Sequence, residues 1–281
     1  MRSEATLAGV RIGGDQPVRL MAALNVSPES FYAGSVLADR GALHEAAQRA
    51  AEEGADVIDI GARSTAPYRD TEVDVEEEVR RMLRAVETVV RAVPVPVSAD
   101  TTRASVAAAA LAAGARIVND VSGLRGDKAM ADIAAQAEGV VLVASPDGER
   151  DGEPLEQVRS LLCDSLERAA RAGIAPGEIV LDPGIGFFTR GGVPAPAFTC
   201  AVLNRLDALA DLGAPLLVGV SRKAFIGRLT GHDAPDARLA GSLAATAVAV
   251  YNGAAMIRTH DVAATRDAVR VAEAIRAARV R

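Results

Sequence analysis

The stretch Val218-Gly219-Val220-Ser221-Arg222-Lys223 is a short apolar run that ends abruptly in hydroxyl and cationic side chains, and Ile257-Arg258-Thr259-His260-Asp261 repeats the pattern near the end of the chain. No helix or turn signal accounts for charge at those points. Side chains alternate along a strand, so Ser221 and Lys223 are expected on one face of theirs, and Arg258 and His260 on one face of theirs. Two strands thus aim positive charge at one place. In a parallel sheet that place is the rim beyond the carboxyl ends of the strands, where α/β enzymes keep their ligands.

Outward from these runs, one unit recurs roughly every 30 residues: a β-rich run, a polar loop, then an alanine-rich stretch of helical period. Strands are predicted at Arg19–Val26, Ala55–Ala62, Val95–Asp100, Arg116–Val121, Val140–Ser145, Glu178–Pro183, Pro215–Ser221 and Ala255–Asp261. Helices are predicted at Gly41–Glu53, Asp74–Val93, Arg103–Ala113, Asp127–Glu138, Glu153–Ala172, Phe198–Leu212, Asp236–Asn252 and Ala263–Ala278. Such alternation allows a closed (β/α)8 barrel or an open doubly wound sheet. Eight units with no sign of a second domain predict the α/β class and a single (β/α)8 TIM barrel over residues 1–281. Ahead of it, Leu7 to Ile12, a turn at Gly13-Gly14-Asp15 and the segment from Val18 are expected to form an N-terminal β-hairpin that closes one end.

Composition agrees with a buried parallel sheet. Of the 281 residues 49% are hydrophobic, 24% charged and 3% aromatic, with no tryptophan, so the core must be Ala, Val, Leu and Ile. A net charge of −6 argues against nucleic acid or an anionic membrane surface as partner, and cations gathered at one site of an acidic chain suggest a small anionic ligand. No apolar run approaches the roughly 18 residues that span a bilayer, and the N-terminus lacks a signal-peptide layout, so a cytoplasmic protein is expected. Cys163 and Cys200 fall in predicted helices without metal-ligand spacing and read as reduced structural thiols.

Asn25, Ser64 with Thr65, Asp100, Asn119, Asp182, Ser221 with Lys223, and Arg258 with His260 all stand at or just past the C-terminal ends of predicted strands. Helix capping accounts for Thr101 or Ser122 but poorly for Asp100, Asn119, Asp182 and Lys223 together, because buried polar groups need partners. Asp100, Asn119 and Asp182 supply the acceptors and the amide that read the donor edge of a guanidine-like ring. Arg258, His260 and Lys223 supply donors for phosphate oxygens, with Asn25 able to hold a metal or an oxygen between them. A heterocycle bearing a diphosphate would satisfy both. Three long loops, at Ser27–Ser35, Arg63–Arg69 and Gly184–Gly192, read as binding loops or lids.

Leu24-Asn25-Val26-Ser27-Pro28-Glu29-Ser30-Phe31, Asp59-Ile60-Gly61 followed by Ser64-Thr65, Asn119-Asp120-Val121-Ser122-Gly123, Leu181-Asp182-Pro183-Gly184-Ile185-Gly186-Phe187, Ser221-Arg222-Lys223 and Arg258-Thr259-His260-Asp261-Val262 resemble the motifs of dihydropteroate synthases, in order and with similar spacing. The resemblance runs from Met21 onward. It implies a (β/α)8 barrel that joins 6-hydroxymethyl-7,8-dihydropterin diphosphate to an arylamine, normally p-aminobenzoate, with Mg2+ as cofactor and release of pyrophosphate. It further implies that Asp100, Asn119, Asp182 and Lys223 hold the pterin, with Asp100, Asp182 and Lys223 acting in catalysis. Asn25, Arg258 and His260 would hold the departing diphosphate and its metal, with Asn25 on the metal. Thr65, Phe187 and Ser221 would shape the arylamine pocket. A homodimer through the last helices is implied too.

The chain departs from the family pattern on the arylamine side. Gly61-Ala62-Arg63-Ser64-Thr65-Ala66-Pro67 stands where the family has Gly-Glu-Ser-Thr-Arg-Pro, Val143-Ala144-Ser145-Pro146 where strand five usually ends in Met-His, and Phe188-Thr189 where a lysine is common. An arylamine larger than p-aminobenzoate, such as the ribosylated aminobenzene of methanopterin-type cofactors, is therefore expected, and Arg63 is a candidate to restore the cation lost at Ala66. Two other readings stand beside this one: a methyltetrahydrofolate-binding barrel of the corrinoid methyltransferase kind, and a pterin-binding paralogue without catalysis. Pyrophosphate release separates them from the transferase.

Overall fold

The computed structural model describes residues 3–27, 39–64, 73–149 and 151–278. A hairpin of β1 (Glu4–Leu7) and β2 (Val10–Gly13) opens the chain. Eight strands follow: β3 (Arg19–Asn25), β4 (Val57–Gly61), β5 (Val97–Asp100), β6 (Ile117–Asp120), β7 (Val140–Val143), β8 (Ile179–Asp182), β9 (Leu217–Val218) and β10 (Met256–Thr259). Between and after them run α1 (Arg40–Glu52), α2 (Val75–Ala92), α3 (Ala104–Ala112), α4 (Met130–Ala134), α5 (Pro154–Arg171), α6 (Ala195–Asn204), α7 (Ala224–Thr230), α8 (Leu239–Tyr251) and α9 (Val262–Ala278).

The eight strands pair in the order β8-β7-β6-β5-β4-β3-β10-β9, every pair parallel. A bridge between Leu181 and Leu216 joins β8 to the residue entering β9 and closes the ring. The predicted (β/α)8 TIM barrel with its N-terminal hairpin is the observed fold, and all eight predicted strands are present.

Two apolar layers hold it. The outer one packs the outward strand residues Leu20, Ile58, Ile60, Val118 and Leu142 against the helices. The inner one fills the N-terminal half of the barrel with Met21, Val57, Ile117, Val141, Val180, Leu217 and Met256, sealed from below by Ala5, Leu7 and Ile12 of the hairpin. Leu7 is seated so closely that a Cβ added at Gly139 would fall 2.5 Å from its Cδ2. On four of the strands one step of two residues then replaces this plug with polar groups: Val57 gives way to Asp59, Ile117 to Asn119, Val180 to Asp182 and Met256 to Arg258.

Four expectations need correction. The hairpin turns at Ala8-Gly9, with φ of 50° and 88°, and not at Gly13-Gly14-Asp15, because Leu7 and Ile12 must both point into the barrel end. The segment Asp127–Glu138 is helical only over Met130–Ala134, since the Asp127 carboxylate accepts from the amides of Ala129 (3.0 Å) and Ala104 (2.9 Å) and so fixes a turn against α3. The predicted Phe198–Leu212 helix divides into α6 and a 3₁₀ segment, Leu206–Leu212. The predicted strand Pro215–Ser221 is regular only at Leu217–Val218, and α7, unforeseen, begins at Ala224. Among the described residues no helix is long and apolar enough to cross a membrane.

Candidate active site

A cavity opens at the C-terminal ends of the strands, and Asn25, Asp100, Asn119, Asp182, Phe187, Lys223, Arg258 and His260 all line it. The sequence placed these eight there. Thr65 lies outside the described residues, as do most of the loops Ser27–Ser35 and Arg63–Arg69. Ser221 is buried beneath the wall, where its Oγ accepts from the His260 amide at 3.3 Å and lies 3.0 Å from His260 Nδ1. It therefore orients His260 in the first place.

The floor of the cup is an ion-pair triad. Arg258 donates through Nε to Asp59 Oδ2 at 2.7 Å and through Nη2 to Asp100 Oδ2 at 2.9 Å. Asp59, wholly buried, also accepts from Asn119 Nδ2 at 3.2 Å. That bond fixes the Asn119 amide with its nitrogen on Asp59. Its oxygen is left as a buried acceptor, and among the described residues neither Asn119 Oδ1 nor Asp100 Oδ1 has a hydrogen-bond partner. Two unpaired buried acceptors on one wall call for donors from a ligand.

The electrostatics follow from this crowding. Burial raises the Asp100 carboxyl to about 7, against the pull of Arg258 and with help from Asp59. Burial likewise raises Asp182, although Lys223 and the Gly184 amide, which donates to Asp182 Oδ1 at 2.7 Å, oppose it. Lys223 is lowered to about 8 by burial, with Asp182 pulling the other way. His260 is lowered to about 3 by desolvation and by the charges of Arg258, Arg222 and Lys223. It is a neutral hydrogen-bonding group at neutral pH. Burial acts against the Arg258 charge, but Asp59 and Asp100 outweigh it and drive that guanidinium upward.

Lys223 reaches the cup by an unexpected route. It is not the next inward residue of a strand but follows a left-handed turn at Arg222, φ 57°. That turn is held by a bidentate pair from Arg222 to Asp261 at 2.9 and 2.6 Å and by Arg238 Nη1 donating to the Arg222 carbonyl at 3.0 Å. Lys223 Nζ then donates to the Ile185 carbonyl and lies 5.2 Å from the centre of the Phe187 ring. The loop after β8 leaves room for this: at Gly184 (φ 70°) a Cβ would fall 1.6 Å from the Ala144 carbonyl oxygen, and at Gly186 (φ 89°) 3.1 Å from Lys223 Cδ.

Asp59 is the site residue that sequence reasoning left without a role. The signal was present, since it stands two residues past Val57 and one before Ile60 on β4, so alternation alone points it inward.

Barrel, cup and acceptor-lined floor define an enzyme of the pterin-binding barrel class, and the family model described as pterin binding enzyme matches residues 21–260. The dihydropteroate synthase of Mycobacterium leprae (strain TN) is 39% identical over 270 residues, 91% of this chain and 92% of that protein. Dihydropteroate synthase of Xanthomonas albilineans, solved with 4-aminobenzoic acid, superposes with a TM-score of 0.86 at 38% identity over 99% of both chains. A second structure of that enzyme, in complex with 7,8-dihydropteroate, gives 0.83 at 36% identity over 98% of this chain and 99% of its own. The chain belongs to the dihydropteroate synthase family and is a transferase of the kind that forms a carbon–nitrogen bond.

Replacing Asp59 tests the triad. Asp100 holds its proton more tightly folded than unfolded, so it contributes stability that is present below its ordinary 3.8 and lost as pH rises toward about 7. Asp59→Asn removes a charge that raises Asp100 and leaves more of Arg258 to it, so its titration midpoint should fall below 7. Carbon-13 NMR titration of the aspartate carboxyls reads this directly; an unchanged or higher midpoint contradicts the arrangement.

Proposed function

We propose that this chain joins a 6-hydroxymethyl-7,8-dihydropterin diphosphate to an arylamine with release of pyrophosphate, the dihydropteroate synthase reaction of folate biosynthesis. The observation that carries the reading is the pair of unpartnered acceptors, Asp100 Oδ1 and Asn119 Oδ1, on the wall of a cup that also presents Asp182 beside Lys223. A pterin carries amino and ring N–H donors along one edge and a carbonyl beside them, so acceptors and an ammonium are its complement. A methyltetrahydrofolate site would need the same ring contacts but gives no use to Lys223, Arg258 and His260 at one mouth.

In this reaction the bond between the exocyclic methylene and the diphosphate oxygen breaks, its electron pair leaving with pyrophosphate. The lone pair of the arylamine nitrogen forms the new C–N bond, and that nitrogen then releases a proton. The chain's part is electrostatic. Asp182 and Asp100 favour positive charge spreading over the dihydropterin, and Asp59 keeps Asn119 and Arg258 in register. Arg258, with Nε and Nη2 engaged, keeps Nη1 for a leaving-group oxygen. His260 and Asn25, whose Nδ2 lies 3.5 Å from His260 Nε2, supply neutral dipoles at the lip. No protein nucleophile is required.

Among the described residues no three His, Cys, Asp or Glu side chains could hold a metal ion. Asn25 offers one amide oxygen at the lip, and Mg2+ is ordinarily held by few protein ligands plus substrate phosphates and water. The residues fit that limited role: Asn25 would hold the ion, and the ion would supply charge neutralisation for the diphosphate.

The second substrate is p-aminobenzoate or a larger arylamine of the methanopterin type. The larger one is supported by Ala66 standing where the family carries an arginine, and Thr189, Thr199, Phe225 and Arg228 line the same cavity as Phe187. A homodimer is supported by the exposed Val248 and Tyr251 of α8 and Val271 and Ile275 of α9, large apolar side chains that a second copy would cover. A monomer in sedimentation velocity at micromolar concentration removes that part of the reading.

A coupled pyrophosphate assay tests the activity. Lys223→Ala and Asp182→Asn should each lower kcat/KM at least about a hundredfold, near 3 kcal/mol of transition-state stabilisation. A folded wild-type protein that releases no pyrophosphate with any arylamine contradicts the transfer, and use of p-aminobenzoate as good as that of any larger amine removes the larger substrate.

A further inference from the structure

Arg63, in the turn after β4, lines the same cavity as Asn25 and Asp100, with its side chain only 17% exposed. Two bonds fix its guanidinium: Nε donates to Glu78 Oε2 at 3.0 Å and Nη2 to Thr102 Oγ1 at 2.8 Å. Glu78 is wholly buried on α2, and it also accepts from Arg103 Nη1 at 2.9 Å and from Thr101 Oγ1 at 2.7 Å. Two guanidinium groups thus share one carboxylate, and the cluster keeps one excess positive charge in a largely desolvated wall. The Nη1 of Arg63 has no hydrogen-bond partner among the described residues. Its charge is felt across the cup, where it acts to lower the Asp100 carboxyl against the effect of burial.

We infer that Arg63 binds an anionic oxygen of the substrate at the lip of the cup, with Glu78 and Thr102 as its positioning residues. A guanidinium that served only to tie α2 to the turn before α3 would need Nε and Nη2 and no place on the cavity wall. Here the fork is pre-set, so little side-chain freedom is lost when Nη1 meets an oxygen, and an incoming anion neutralises the excess charge. The inference rests on the transfer reading for its two candidate anions, the diphosphate and a carboxylate of the arylamine. Both present the same chemistry to Nη1.

Titration calorimetry on the whole chain tests it without turnover, using inorganic pyrophosphate, p-aminobenzoate and uncharged p-aminobenzamide as probes. Arg63→Gln should weaken one of the two anions about tenfold or more, Arg63→Lys should weaken it less, and p-aminobenzamide should bind each variant as it binds the wild type. Loss with pyrophosphate assigns the diphosphate; loss with p-aminobenzoate assigns the carboxylate. Affinities for both anions within about twofold of wild type overturn the inference, as does a wild type that binds neither. Thr102→Val guards against a poorly folded glutamine variant. It keeps the pair with Glu78 and frees Nη2, and should weaken the same anion about two- to fivefold with an unchanged melting temperature; no weakening overturns the inference. Anion binding that depends on Arg63 in a protein that never releases pyrophosphate would sink the transfer reading and leave Arg63 as an anion site.

Discussion

Arg258 suspended between Asp59 and Asp100 is the constraint on which the rest of the cup depends. Two unit charges 4 Å apart interact by about 4 kcal/mol at an effective dielectric near 20, and stripping either of water costs several kcal/mol. Such a group is tolerable in a barrel interior only when its partners are fixed and nearby. The triad meets that condition with three strands: the neighbouring β4 and β5 bring Asp59 and Asp100, and β10, separated from β4 by β3 in the ring, brings Arg258. Burial and the neighbouring Asp59 raise the Asp100 carboxyl to about 7, and Arg258 opposes them. Asp59 then decides which way Asn119 faces.

Above that floor the same economy of fixed dipoles governs the loops. Lys223 must leave water to stand by Asp182, and it does so from a strained left-handed turn that the buried Arg222–Asp261 pair holds in place. The run Ser221-Arg222-Lys223 therefore splits its duties: Ser221 steadies His260, Arg222 locks the turn from behind and Lys223 enters the cup. The run Arg258-Thr259-His260-Asp261 mirrors it, with Arg258 and His260 on the cavity wall and Asp261 closing the rear lock.

Much of this was legible in the chain because a barrel strand repeats every two residues. The switch from Val57 to Asp59, Ile117 to Asn119, Val180 to Asp182 and Met256 to Arg258 marks the boundary between plug and cup on four strands, and the sequence shows it without coordinates. What it hides depends on long-range pairing. Nothing near Arg63 in the sequence announces Glu78 or Thr102 as its partners, and nothing near Asp59 announces Arg258, 199 positions away. The hairpin turn is hidden because Gly13-Gly14-Asp15 is as good a local turn as Ala8-Gly9, and only the need to bury Leu7 and Ile12 in one barrel end chooses between them. The early end of the strand at Val218 is hidden for the same kind of reason: alternation predicts Lys223 inward, and the turn at Arg222 reaches that position by other means.

The central claim is that the floor of the cup is set in advance to accept hydrogen bonds from the donor edge of a pterin. Titration calorimetry of 6-hydroxymethylpterin against the matching lumazine, which carries a carbonyl oxygen where the pterin carries an amino group, tests it most directly. Preset acceptors at Asp100, Asn119 and Asp182 predict that the pterin binds at least about a hundredfold more tightly, because the lumazine sets oxygen against oxygen. Equal affinities for the two rings would contradict the account.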